Sequence, residues 1–93
     1  MKKEFMALMS NGKGKKLEKR EGEFDEKLNI YYTKLPEGWC ATDAFSGMAI
    51  VIKKPTKKEC QETVKNSTEK IAQARNSEKY LQGVINYNEL LEE

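Results

Sequence analysis

Leu28-Asn29-Ile30-Tyr31-Tyr32-Thr33, the break Pro36-Glu37-Gly38, Trp39-Cys40-Ala41-Thr42, the turn Ser46-Gly47 and the run Met48-Ala49-Ile50-Val51-Ile52-Lys53 decide the fold. Leu28, Ile30 and Tyr32 alternate with Asn29, Tyr31 and Thr33, the period of a half-buried strand. Trp39 to Thr42 reads as a short second strand. Asp43 stands beside the following turn, where its side chain can bond local backbone. In the third strand Ile50 and Ile52 share one face and Val51 takes the other, which predicts a strand inside the sheet. Residues 28–53 are thus a three-stranded meander.

The chain then changes period. In Pro55-Thr56-Lys57-Lys58-Glu59, Thr56 suits a helix N-cap and Glu59 the third helical position, where a carboxylate favours the positive end of the helix. Cys60, Val64, Ser67, Ile71 and Ala74 recur at three- and four-residue spacing, one narrow apolar stripe. Asn76-Ser77 interrupts it, and Ser77 can cap a further helix carrying Tyr80, Leu81, Val84 and Ile85. Residues 56–92 are therefore read as helical.

Toward the N-terminus the pattern weakens. Residues 4–10 fit a strand through Phe5, Ala7 and Met9, or a helical stripe through Phe5, Leu8 and Met9. Their length favours the strand, and Asn11-Gly12 is a hairpin dipeptide. Residues 12–26 are almost all charge and glycine, with only Leu17 and Phe24 apolar, and read as a flexible charged loop. If Asn11-Gly12 does turn a hairpin, Lys13 to Lys19 is a ragged second strand. The expected fold is α+β: an antiparallel sheet of three or four strands followed by one or two C-terminal helices packed on one face, in a single domain over residues 1–93.

Composition limits the function. The 93 residues hold 38% apolar and 34% charged side chains, too apolar for a disordered chain. No apolar run approaches the ~20 residues of a membrane helix. Glu4 interrupts the charged start too early for a signal peptide, so the expected location is cytoplasmic and no membrane partner is expected. Cys40 and Cys60 fit two reduced thiols used as small apolar groups.

With no histidine in the chain, imidazole acid–base and triad chemistry are excluded. Two lone cysteines do not make a zinc site. Neither an enzyme nor a cofactor is expected.

The net charge of +2 is unevenly spread: residues 1–58 hold 13 Lys/Arg and 8 Asp/Glu, whereas residues 59–93 hold 4 and 7. Two basic clusters stand out. Lys13, Lys15, Lys16, Lys19 and Arg20 lie in the charged stretch, diluted by Glu18, Glu21 and Glu23. Lys53, Lys54, Lys57 and Lys58 meet at the helix start, where the helix dipole also favours anions. Tyr31 is expected to face outward, with Tyr32 and Trp39 inward.

Leu28 to Ile71 resembles the β-β-β-α unit of HicB-type antitoxins. The matching residues are Ile30-Tyr31-Tyr32, Leu35-Pro36-Glu37-Gly38-Trp39 and Thr56-Lys57-Lys58-Glu59. The segment departs from that family where Glu59-Cys60 stands in place of a Glu-Ala pair and in lacking the Pro-Gly-Cys order, and residues 72–93 are not expected to form a DNA-binding module. The resemblance implies the meander-plus-helix fold and an antitoxin-like role.

Two functions are carried forward. One is a protein-binding accessory or inhibitor of the kind common in phages and mobile elements, acting through a sheet face or edge and able to form a homodimer. The other is a nucleic-acid-binding module using the two basic clusters and Tyr31. The acidic C-terminal part favours the protein partner.

Overall fold

The computed structural model describes residues 2–11 and 14–92. The element order is β1 (Lys2–Asn11), β2 (Gly14–Asp25), β3 (Ile30–Leu35), β4 (Gly38–Asp43), β5 (Ala49–Lys54), α1 (Lys57–Asn66), α2 (Thr68–Arg75) and α3 (Glu78–Glu92). The five strands form one antiparallel sheet in sequence order. The class is α+β, with five strands rather than three or four and three C-terminal helices rather than one or two, because the chain leaves helical geometry at Ser67 as well as at Asn76-Ser77. Among the described residues no helix is long and apolar enough to cross a membrane.

The meander holds the core. Ile30 and Tyr32 on β3, Ala41 on β4 and Val51 on β5 meet Cys60 and Val64 of α1 in one buried cluster, with Trp39 half-buried against it. α1 starts where its cap places it: the Thr56 side chain accepts a hydrogen bond from the Glu59 N–H at 3.1 Å. The apolar stripe does not continue as one helix. Thr68 donates its hydroxyl to the Lys65 carbonyl at 2.7 Å, while Ser67 leaves helical geometry at φ −108°, ψ 13° and separates α1 from α2. A hydroxyl that bonds the preceding turn competes with the helix ladder at that point.

The stretch expected as a loop over 12–26 is, over Gly14–Asp25, the long strand β2; Gly12 and Lys13 lie outside the described residues. β1 pairs along its whole length with Gly14–Glu23 of β2, with Leu8 opposite Leu17 and Phe5 opposite Arg20. Most of β2 shows no apolar alternation because its side chains from Gly14 to Glu21 are exposed or half-exposed. Backbone pairing and the buried Phe5 and Ala7 of β1 hold this hairpin; the exposed Lys19–Glu4 ion pair at 3.0 Å adds little.

The hairpin does not extend the sheet in plane. β2 pairs with β3 only from Glu23 to Asp25. It parts from β3 at Gly22, and the hairpin then crosses the face of the meander opposite α1. Phe5 stacks on Tyr31 with ring centroids 4.2 Å apart, and the Leu8 N–H donates to the Gly47 carbonyl at 2.7 Å. The meander is therefore covered by α1 on one side and by its own N-terminal hairpin on the other.

The helices do not share one face. α3 turns to the end of the sheet, where the Tyr87 hydroxyl donates to the Met6 carbonyl at 2.5 Å and its ring lies over Gly47. Gly47 has φ +71°, and a Cβ there would fall 2.3 Å from the Tyr87 ring. Left-handed backbone and lack of space both require glycine.

Candidate binding cleft

The two basic clusters are not a single exposed patch. Lys57 forms an ion pair with Glu23, and Lys19 with Glu4. Arg20 pairs with Glu18 at 3.2 Å, and its side chain is largely buried. Lys13 lies outside the described residues. Among the described residues Lys15, Lys16, Lys53, Lys54 and Lys58 make no ion pair. Arg20 and Lys53, one from each cluster, line one cleft of about 260 Å³ between the hairpin and β4–β5, but Glu37 lines it too.

Lys53 and Lys54 have a structural role as well. β5 is an edge strand, not the interior strand its apolar residues on both faces predicted: Ile52 is exposed, so one of those faces is not buried in the sheet, and Lys53 takes φ +58° two residues before Pro55. Lysines, a kinked backbone and a proline are the features that keep a sheet edge from pairing with another chain.

Tyr31 does point away from the core, as strand alternation requires, but it does not reach solvent freely. Its ring is half-buried between Phe5 and Phe24, at 4.2 and 4.7 Å. The hairpin covers the face that Tyr31 was expected to present. Tyr32 is buried and Trp39 half-buried, both inward.

A concavity with predominantly apolar walls lies elsewhere. A cleft of about 390 Å³ opens between β5, α2 and the start of α3, with Ile50, Val51, Ile71 and Ala74 among its walls. Exposed Met48 lines it, and exposed Phe45 packs its ring over the Arg75 guanidinium at 5.3 Å. Size and apolar walls are those of a binding pocket.

At one end of this cleft a polar cluster ties four elements together. Asp43, 3% exposed, accepts three hydrogen bonds on Oδ2: from the Ser46 N–H at 2.9 Å, the Ser46 hydroxyl at 2.7 Å and the Tyr80 hydroxyl at 2.8 Å. Its Oδ1 takes Arg75 Nη2 at 2.6 Å. A carboxylate held this way is a fixed anchor with little room to act as a base. The buried Cys40 and Cys60 thiols are unpaired, and burial pushes both above the ordinary 9.0, away from the reactive thiolate.

Sequence reading found the Asp43–Ser46 half of the cluster and missed the other half. Arg75 and Tyr80 lie 32 and 37 residues further along, and neither carries a local signal of the contact.

The cluster predicts alkaline sensitivity. Burial, with the hydrogen bond to and charge of Asp43, pushes the Tyr80 phenol from 10 to about 12. Tyr32 is pushed equally far, by burial and then by Asp25. A phenol whose folded pKa lies above its unfolded value keeps its full contribution below pH 10 and loses it as pH rises toward about 12. The urea midpoint should therefore fall across that window, and the fall should be shallower in Tyr80→Phe. Identical curves for the two proteins would show that the phenol ionises freely in the fold.

No protein-family model matches this chain, and neither the curated proteins nor the solved structures give a match.

Proposed function

We propose that this protein is a non-enzymatic accessory or inhibitor that binds a partner protein, and that the partner seats an apolar side chain in the cleft between β5, α2 and α3. The observation that carries this reading is the pairing of open apolar walls with a polar end whose groups already bond one another. Such a surface offers a ligand desolvation and shape rather than chemistry. The buried unpaired thiols of Cys40 and Cys60 support a reducing compartment, hence a cytoplasmic partner.

A second reading, a nucleic-acid-binding or antitoxin-like module, rests on Lys15, Lys16, Lys53, Lys54 and Lys58. These lysines make no ion pair among the described residues. Glu37 beside Lys53 and the acidic face of the last helix weigh against it.

One experiment separates the two. Tagged protein is used to capture partners from the cells that encode it, with and without nuclease. Exposed Ala74 lines the cleft, so Ala74→Arg fills it without touching the core. The protein-partner reading expects one stoichiometric protein, resistant to nuclease and lost in Ala74→Arg. Binding that falls with salt at a log–log slope near −0.9 per phosphate contact, and that disappears when Lys53, Lys54, Lys57 and Lys58 are all changed to Gln, would replace it with the second reading.

A further inference from the structure

We propose that the N-terminal hairpin is a strap: it lifts from the meander as a unit, hinged at Gly22, while the meander and α1 stay folded. This device is separate from the cleft between β5, α2 and α3.

The two covers of the meander differ in what they bury. α1 closes on a mainly apolar cluster that includes Ile30, Ala41, Val51, Cys60 and Val64. The hairpin closes on a more polar face. Tyr31 and Thr33 of β3 stand directly opposite Thr42 and Cys40 of β4, so the four share one face, and Phe5 of the hairpin stacks on it. Among the described residues four buried side-chain polar atoms have no hydrogen-bond partner. Three of them, Thr33 Oγ1, Thr42 Oγ1 and Arg20 Nε, lie between hairpin and meander, and none lies in the cluster under α1. Such an atom carries its desolvation penalty for as long as it is covered, and water satisfies it on opening. Packing is incomplete there too: the cleft of about 260 Å³ separates Leu8, Met9 and Arg20 from Leu35, Cys40 and Ile52.

The hairpin holds itself together better than it holds the sheet. Its ladder, from Lys2 opposite Glu23 to Asn11 opposite Gly14, is internal and survives lifting. Both side-chain bonds of Arg20, to Met9 and Glu18, are internal as well. Among the described residues no ion pair joins residues 2–21 to the rest of the chain. What lifting breaks is the Phe5–Tyr31 stack, the Leu8 N–H bond to the Gly47 carbonyl and the Tyr87 hydroxyl bond to the Met6 carbonyl. The pairing of Glu23–Asp25 with β3 stays as the anchor. The opened state returns Tyr31, Thr33 and Thr42 to solvent.

The two cysteines report on the two covers, since Cys40 (1% exposed) lies under the hairpin and Cys60 (0%) under α1. The full chain is treated with N-ethylmaleimide at increasing urea, and labelling of each thiol is followed by peptide mass spectrometry. Each rate is divided by that of the same thiol in the unfolded chain. Cys40 should react at least about tenfold faster than Cys60, the effect of one relieved polar group. Its rate should also depend less on urea, because lifting exposes less surface than unfolding. Val64→Ala should speed Cys60 and leave Cys40 unchanged, because the contacts of Val64 are the same with the strap closed or open. Amide exchange of the Leu8 N–H should give the same opening equilibrium as Cys40, well ahead of the β3–β4 ladder. Equal normalised rates with one urea slope, or equal acceleration of both thiols by Val64→Ala, overturn the strap. So does a Cys40 that reacts while the Leu8 amide stays as protected as the ladder.

Discussion

Replacing Gly22 by alanine is expected to lower the stability of the fold by about 2–3 kcal/mol, the cost of forcing atoms into a packed site. Gly22 is buried where β2 leaves β3 and starts across the sheet. A Cβ built there falls 2.5 Å from Thr33 Oγ1 and 2.7 Å from the Tyr32 carbonyl oxygen. The threonine is itself buried, and the carbonyl belongs to the central strand, so neither can swing aside. Relief has to come from lifting the hairpin, which parts Phe5 from Tyr31 and Leu8 from Gly47. Urea unfolding of Gly22→Ala, alone and with Thr33→Ala, measures this. The second substitution should recover only part of the loss, because the carbonyl remains. A loss below about 0.5 kcal/mol, ordinary for a surface change, would show that the crossing is looser than described.

Asp43→Ala should cost more, about 3–5 kcal/mol, the range for removing one member of a buried ion pair. The substitution leaves part-buried Arg75, whose Nε already lacks a partner, with only its 3.4 Å bond to the Asn29 carbonyl, and removes the acceptor of the Ser46 and Tyr80 hydroxyls. It also frees the β4–β5 turn from α2 and α3 at the cleft. Arg75→Ala in the same background should cost little further, giving a coupling of about 1–3 kcal/mol in the double-mutant cycle. Strict additivity, or a loss under about 1 kcal/mol, would mean that Asp43 does not hold these elements together.

The parts of the fold legible in the sequence share one property: their signal lies within a few residues. Alternation from Leu28 to Lys53 marks three strands because each strand has one face on the core. Thr56 caps α1 because a hydroxyl three residues before a backbone N–H reaches it whatever the rest of the chain does. The break at Ser67 was not legible, since the apolar spacing from Val64 to Ile71 runs through it while a single threonine hydroxyl interrupts the ladder. Strand β2 was legible only as the conditional partner of an Asn11-Gly12 hairpin, ending at Lys19, for the opposite reason. Exposed on most of its side chains, it has no apolar period to show.

The candidate cleft was legible in one corner only. Asp43 with Ser46 is a local bond, but Arg75 and Tyr80 reach Asp43 only because α2 and α3 come back to the β4–β5 turn. Tyr31 shows the same limit. Alternation placed it correctly on the face away from α1, yet nothing in a period of two says whether that face meets water or another strand.

By itself, then, the sequence determined the meander, the capped helix, and the lack of histidine chemistry, because all three follow from residue type and short-range geometry. Tertiary structure alone decided that a charged N-terminal hairpin folds over the sheet, that Tyr31 is covered, that Lys57 is tied to Glu23, and that Asp43, Arg75 and Tyr80 meet. The hairpin's course depends on where Gly22 and Gly47 let backbone and side chains pass close together, and the ion pair and the Asp43 cluster on where the helices return to the sheet, all properties of space filled rather than of sequence spacing.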